Sequence, residues 1–288
     1  MTRLKGRSMS VTPTDPREYA HLQGIRLVAS DMDNTLVGDD GQLPAQIWST
    51  IEELRERGAL FVPASGRQVT TLEEMFKPVS HHMPFISANG AMLVRDGEVL
   101  YSVRVEPEII REVVELIREL SSSGIDLGLL LIGEKGSYTE RSDPRFVSEV
   151  QHYFHQLEVL DDLLDADDHV VKLAIYSFDG LDEVLPRIAH YRDTHSIIFS
   201  ADNWVDIQGQ NVDKGVALEK LQEILGISRD ETAVFGDYLN DMELMKAGTH
   251  SFAVANAHPD IIAASHYVAP SCADNGVIDV LQHILAGA

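Results

Sequence analysis

The sequence contains very little cysteine. Cys272 is the one cysteine among 288 residues, so no disulfide can form within the chain. Disulfides are typical of secreted proteins and rare in reducing compartments. The cysteine content therefore favours a cytoplasmic protein. The first 24 residues agree with this, because they are polar and lack the apolar segment of a secretory signal.

Long apolar runs and basic residues are also scarce. No apolar run approaches the length of a membrane span. The chain has 46 acidic and 23 basic residues, which gives a formal net charge of −23. A surface of that sign repels nucleic acids and anionic membranes, so we expect neither as a partner. A small anionic substrate remains compatible with the charge, because a metal ion and a few cations reverse its sign locally.

Three common catalytic motifs are missing. The sequence has no Walker phosphate loop, no Gly-x-Gly-x-x-Gly and no Gly-x-Ser-x-Gly, which argues against P-loop, dinucleotide-binding and serine α/β-hydrolase enzymes. The hydrophobic content of 44% is nevertheless sufficient for a folded core.

The most informative part of the sequence is the stretch 25–36, which combines an apolar run with a polar motif. An apolar run with the composition of a buried strand breaks into Asp31-Met32-Asp33-Asn34-Thr35. Two carboxylates this close repel each other unless a cation lies between them, and hard oxygen ligands suit Mg2+. The alternative is a simple turn in which both aspartates face water. A calcium loop of the EF-hand type does not fit, because Leu36 stands where glycine is required.

The order of apolar runs and helical patterns predicts an α/β fold. Strands and helices alternate up to residue 91 and again from 203, which is typical of a doubly wound, Rossmann-like parallel sheet. We assign 23–91 and 203–288 to this core, with a short strand at 204–207. Residues 92–202 form an inserted α+β cap. It is predicted to contain a hairpin with its turn at 96–97, an amphipathic helix from Pro107 to about Leu120, and a further helix near 181–191. Residues 1–22 are predicted to be a loose, flexible extension.

Four polar segments follow strands or open a helix of the predicted core. They contain Asp31 and Asp33, then Ser65, then Lys214, then Asp237, Asn240 and Asp241. In a doubly wound sheet such segments converge at the carboxyl edge. The carboxylates would hold a metal, while the hydroxyl and the ammonium group would bind phosphoryl oxygens. Taken singly, each residue also has an ordinary structural explanation, such as a helix cap or a surface lysine.

This ordered set resembles the haloacid dehalogenase superfamily of phosphohydrolases, and the resemblance covers residues 23–288. The matching segments are 31–35, 65–67, 213–215 and 236–241, and the segment 87–91 followed by the long insertion resembles the Cof-type branch with its large α/β cap. One departure is Asn34, at a position where glycine is common in this family.

The resemblance implies a role for each residue. Asp31 would attack phosphorus and form an aspartyl-phosphate, and Asp33 would act as general acid and then general base. Ser65 and Lys214 would stabilise the transferring group. Mg2+ would be held by Asp31, Asp237 and the main-chain carbonyl of Asp33. The supporting residues are of two kinds: Asn240 and Asp241 around the metal, and Gly66, Arg67 and Asn89 near the phosphate.

The sequence thus predicts an Mg2+-dependent phosphatase of small phosphorylated metabolites, with sugar phosphates as the first choice. Two alternatives remain open. A phosphomutase or phosphotransferase would pass the phosphoryl group from Asp31 to a sugar instead of to water. A non-catalytic sugar-phosphate sensor would have lost Asp31 or Asp33, and both are present. The oligomeric state is also open.

Overall fold

The computed structural model describes residues 11–38, 40–151, 154, 156–201 and 203–287. Its strands are β1 (Leu27–Asp31), β2 (Leu60–Ala64), β3 (Pro84–Ser87), β4 (Met92–Arg95), β5 (Glu98–Ser102), β6 (Leu127–Gly133), β7 (Ser137–Thr139), β8 (Leu157–Val159), β9 (Val170–Ser177), β10 (His195–Ala201), β11 (Trp204–Gly209), β12 (Thr232–Gly236), β13 (His250–Val254) and β14 (Tyr267–Ala269). Its helices are α1 (Ile47–Glu56), α2 (Val69–Met75), α3 (Pro107–Ser122), α4 (Pro144–Val150), α5 (Leu185–Ile188), α6 (Lys214–Leu225), α7 (Met242–Ala247), α8 (Pro259–Ala264) and α9 (Gly276–Gly287).

The described chain divides into two compact units, one with residues up to 64 and from 218 onward, the other with residues 65–217. In the first unit, five parallel strands lie in the order β14-β13-β12-β1-β2. β1 is central, and all five of its residues are buried. A strand covered on both faces needs a continuous apolar run, and this explains the composition of the segment that begins at Leu27.

The second unit contains two sets of strands. β3, β4 and β5 form an antiparallel meander, which confirms the predicted hairpin around 96–97. A separate six-stranded sheet has the order β10-β11-β9-β6-β7-β8. On one face of this sheet, α3 buries Val113, Val114 and Ile117 in an apolar core shared with β6 and β9. The spacing of these residues is that of one face of a helix.

The combination of a parallel sheet with α/β connections confirms the predicted fold class. The domain bounds 23–91, 92–202 and 203–288 remain a prediction. Among the residues that the structure describes, no helix is long and apolar enough to cross a membrane.

Two predicted elements in the second unit were wrong in detail. The strand at 204–207, assigned to the returning core, is part of β11 and pairs antiparallel with β9 and β10 in the six-stranded sheet. The predicted helix at 181–191 is shorter, since only α5 is α-helical and a 3-10 turn follows at Ala189–Asp193. Pro186 limits this helix, because proline is tolerated only in a first helical turn.

The prediction of a loose N-terminal extension was wrong for residues 11–22, whereas residues 1–10 lie outside the described part. Tyr19 is completely buried. Its ring packs edge-on against the ring of Phe252, with the two ring centres 5.4 Å apart. Thr14 forms two hydrogen bonds with Val268, one through each backbone N–H. The segment is therefore anchored to the first unit by a buried aromatic side chain, by one backbone hydrogen bond and by one hydrogen bond that the Thr14 hydroxyl accepts.

Truncation of Tyr19 should reveal this anchor. We expect Tyr19→Ala to lower the free energy of unfolding by about 3 to 5 kcal/mol, as for other buried aromatic residues. Tyr19→Phe should cost little, because the phenolic oxygen has no hydrogen-bond partner among the described residues. Urea denaturation of both variants measures the difference. Equal stability of Tyr19→Ala and wild type would mean that the segment does not pack as described.

Candidate active site

Three buried carboxylates cluster at the carboxyl ends of two neighbouring strands of the first unit. Asp31 ends β1, and Asp237 directly follows β12, its parallel neighbour. Asp241 lies just before α7. One carboxylate oxygen from each of the three lies within 4.8 Å of the others, and the three residues are at most 8% exposed.

Asp241 shapes the loop that carries Asp237. Its Oδ2 accepts hydrogen bonds from the backbone N–H groups of Asp237 at 3.0 Å and Tyr238 at 3.2 Å. The side chain lies against Gly236, where an added Cβ would come within 2.7 Å of the Asp241 Cβ. This contact gives a physical reason for the glycine at the end of β12. Asp241 was predicted to support the metal site, and the structure places it in the cluster itself. Asn240 is exposed.

The turn after β1 brings Thr35 toward Asp237, and its hydroxyl donates a hydrogen bond to Asp237 Oδ1 at 3.3 Å. Asn34 has a φ of 62°, a left-handed conformation that asparagine and glycine adopt more easily than other residues. The departure from glycine at this position is therefore compatible with the same turn. Asp33 is exposed, and its carboxylate is not one of the three clustered groups.

Asn256 was not identified from the sequence, and its side chain links this turn to the backbone of Cys272. Its Nδ2 donates to the carbonyl of Asn34 at 2.8 Å, and its Oδ1 accepts from the backbone N–H of Cys272 at 2.8 Å. A single asparagine 222 positions after Asn34 carries no local motif that would have identified it.

In the second unit, the loop after β2 is tied to the loop after β3. The backbone N–H of Asn89 donates to the carbonyl of Ser65 at 2.9 Å, and that of Ala88 donates to the carbonyl of Arg67 at 3.0 Å. Ser65 is 1% exposed, and its Oγ accepts a hydrogen bond from the backbone N–H of Arg67 at 3.1 Å. The Asn89 side chain lies directly against Gly66, where a Cβ would approach its Oδ1 to 3.0 Å.

Lys214 starts α6 and is 1% exposed. Asp213 caps this helix, since its Oδ1 accepts a hydrogen bond from the backbone N–H of Val216 at 2.8 Å. Gly90 packs against the same helix start: it has a φ of 96°, and a Cβ there would lie 2.1 Å from the carbonyl oxygen of Asp213. The second unit therefore brings Ser65, Asn89 and Lys214 into one group of adjoining loops.

The donor chemistry of the carboxylate cluster fits Mg2+. Three buried carboxylates at this spacing repel one another, and a divalent cation removes that repulsion. All the donors are hard oxygens, and the cluster contains no sulfur or imidazole ligand, so the set favours magnesium over zinc or copper.

A second group of potential ligands, His81, His82 and Asp96, is exposed. Asp96 accepts from the backbone N–H of His82 at 2.8 Å and lies 2.6 Å from its ring Nδ1. This pairing lowers the pKa of the Asp96 carboxyl, first through the side-chain hydrogen bond and then through the backbone one. The contact fastens the loop before β3 to the turn after β4.

The chain is similar to known phosphatases over most of its length. The model of the haloacid dehalogenase-like hydrolases matches residues 28–281. The 5-amino-6-(5-phospho-D-ribitylamino)uracil phosphatase YbjI of Escherichia coli is 27% identical over 265 residues, which cover 91% of this chain and 96% of the relative. The HMP-PP phosphatase of Cronobacter sakazakii is 25% identical, with 90% and 96% covered. A crystal structure from Eubacterium rectale superposes with a TM-score of 0.81 at 26% identity, with 90% and 98% covered.

The fold and the matches define a hydrolase that acts on phosphoric monoesters. The chain belongs to the haloacid dehalogenase-like hydrolases, in their Cof-type phosphatase branch.

Proposed function

We propose that this protein is an Mg2+-dependent phosphatase that hydrolyses phosphomonoesters of small metabolites through an aspartyl-phosphate on Asp31. The observation that carries the proposal is the buried cluster of Asp31, Asp237 and Asp241 at the carboxyl ends of β1 and β12. Such a cluster requires a cation, and phosphoryl transfer needs a cation at the same place as the nucleophile.

In the first half of the proposed reaction, a carboxylate oxygen of Asp31 attacks phosphorus and the ester oxygen leaves. Asp33 gives that oxygen its proton. The exposure of Asp33 supports this role, because the group must reach a leaving alcohol at the surface of the site. In the second half, Asp33 takes a proton from water, and the water oxygen attacks phosphorus. The bond to Asp31 breaks, inorganic phosphate leaves, and the Asp31 carboxylate is restored.

The other predicted residues bind and orient. Asp237 and Asp241 would hold Mg2+ together with Asp31, with Asn240 as a further support, and the bound ion would neutralise charge and orient the phosphoryl group. The Ser65 hydroxyl and the Lys214 ammonium would donate to phosphoryl oxygens. Gly66, Arg67 and Asn89 would complete the phosphate contacts through the loop that they form with Ser65.

We propose small phosphorylated metabolites as substrates, sugar phosphates first. Both curated relatives are phosphatases by name, one of a phosphorylated ribitylamino-uracil and one of HMP-PP. These names support transfer to water over transfer to a second sugar. The inserted segment 92–202 is the proposed source of substrate selectivity, since it lies outside all the residues assigned to phosphate chemistry.

The test is phosphate release from p-nitrophenyl phosphate and a panel of sugar phosphates and phosphorylated ribityl compounds. We expect turnover with Mg2+, loss of turnover in EDTA, and recovery when Mg2+ is restored. Turnover that is unchanged in EDTA would overturn the metal assignment. Phosphate transfer that appears only when a sugar acceptor is added would favour the phosphotransferase instead.

A further inference from the structure

A buried ion pair in the six-stranded sheet is not explained by the proposed chemistry. Lys172 of β9 and Asp206 of β11 lie on neighbouring strands, with Lys172 Nζ 3.1 Å from Asp206 Oδ2. Their side chains are 5% and 2% exposed. Transferring two charges out of water costs free energy that the attraction within an average ion pair does not repay in full. A buried ion pair is therefore weak evidence for stability, and a functional explanation should be considered.

The ammonium group of Lys172 has a second acceptor outside the sheet. Its Nζ donates to the carbonyl oxygen of Gly66 at 3.3 Å, in the loop that follows β2. It also lies over the ring of Phe154, 5.9 Å from the ring centre. Asp206 and Phe154 therefore hold the lysine from the side of the sheet, and its charge is directed at one peptide carbonyl.

That carbonyl belongs to the peptide group whose N–H contacts Ser65. The N–H of Arg67 donates to Ser65 Oγ at 3.1 Å, so Lys172 binds one end of this peptide group and Ser65 the other. A cation at the carbonyl oxygen polarises the peptide and strengthens its N–H as a donor. Because the Ser65 oxygen then accepts this bond, its own hydrogen is directed elsewhere.

We infer that Lys172 and Asp206 are positioning residues: they fix the peptide group between Gly66 and Arg67 and thereby aim the Ser65 hydroxyl at a phosphoryl oxygen. The inference rests on the proposed role of Ser65. In this proposal Lys172 acts through Ser65 and not through a contact of its own with the substrate. Its effect should therefore pass entirely through Ser65, whereas a lysine that only holds the sheet together would act independently of it.

The test variant is the pair Lys172→Met with Asp206→Asn. Changing both residues avoids an uncompensated buried charge, which would destabilise the fold. The matched control is Lys77→Met with Glu74→Gln, an exposed lysine–glutamate pair of the same unit at 3.1 Å that lies outside the inserted segment. Thermal melting checks that every variant is folded. The kinetic constants kcat and KM for p-nitrophenyl phosphate are then measured for the test variant and for the control variant. Each is made once with Ser65 intact and once in the Ser65→Ala background.

We expect the Lys172/Asp206 variant to lower kcat/KM for p-nitrophenyl phosphate by about 10- to 100-fold, the usual consequence of a misplaced contact to the phosphoryl group. In the Ser65→Ala background the same change should have almost no further effect. The control pair should match wild type. An equal loss in both backgrounds, or no loss with Ser65 present, would overturn the inference.

Binding of inorganic phosphate to the Mg2+-loaded protein, measured by calorimetry, separates this inference from the proposed function. If wild type binds phosphate but hydrolyses no ester, the proposed function fails. In that case the positioning role is still supported if the Lys172/Asp206 variant binds phosphate more weakly than wild type, and if the same two substitutions cause no further weakening in the Ser65→Ala background. Phosphate binding by the Lys172/Asp206 variant equal to that of wild type would overturn the positioning role. If wild type neither binds phosphate nor hydrolyses esters, both proposals fail.

Discussion

Asp31→Asn should lower kcat for phosphate release by about 10⁴-fold or more, the scale seen when a nucleophile is removed. An amide oxygen cannot form the acyl-phosphate bond, whereas the new side chain has nearly the same size as the old one. The fold should therefore persist. Its thermal stability in the absence of Mg2+ should not fall, because the change removes one of three mutually repelling buried carboxylates.

The measurement combines steady-state kinetics with mass spectrometry of rapidly denatured protein during turnover. Wild type should carry a phosphoryl group on the peptide that contains Asp31, and Asp31→Asn should carry none. Asn34→Gly is the control in the same turn, since a φ of 62° suits glycine, and we expect it to keep wild-type activity. A phosphoryl group on another residue, or turnover by Asp31→Asn close to that of wild type, would rule out Asp31 as the nucleophile.

The sequence predicted the elements that depend on local pattern. β1 follows from an uninterrupted apolar run, and α3 from the spacing of its buried residues after Pro107. The position of Asp31 at a strand end follows from the break in that run. Such features can be predicted from neighbouring residues alone. Hydrophobic periodicity, and the glycine, proline and polar residues that end an element, are local properties of the sequence.

The features that sequence reasoning missed depend on distant partners. β11 has the composition of any short buried strand, so only its pairing with β9 and β10 shows which sheet it joins. Tyr19 stands in a polar segment, and its burial depends on Phe252 and Tyr267, which lie more than 200 residues away.

The site shows the same division between local motifs and distant support. The motif residues Asp31, Ser65, Lys214 and Asp237 could be named from the sequence, because each stands at the end or start of a predicted element. Their supports could not. Asn256 is an isolated asparagine, and Lys172 and Asp206 look in the sequence like charges on a solvated strand face. Burial distinguishes a supporting charge from a surface charge, and burial is set by the tertiary fold.

Lys214→Met should lower kcat/KM for phosphomonoesters by about 10²- to 10³-fold, the typical cost of losing one preorganised donor to developing negative charge. Lys214 is 1% exposed at the start of α6, and the contact between Gly90 and Asp213 fixes that helix start against the loop after β3. Methionine has a similar length and tolerates burial, so the variant removes the charge with a small change in volume.

Lys220→Met is the matched control, because Lys220 lies on the same helix with a side chain 43% exposed and pairs with Glu223 at 2.8 Å. An exposed pair of this kind contributes little to stability, and we expect wild-type kinetics. Phosphate binding by calorimetry should weaken in Lys214→Met and stay unchanged in Lys220→Met, with both proteins folded by circular dichroism. Equal losses in the two variants would point to a general effect on α6. Wild-type kinetics in Lys214→Met would remove Lys214 from the phosphate site and leave Ser65 and the backbone N–H groups as the proposed donors.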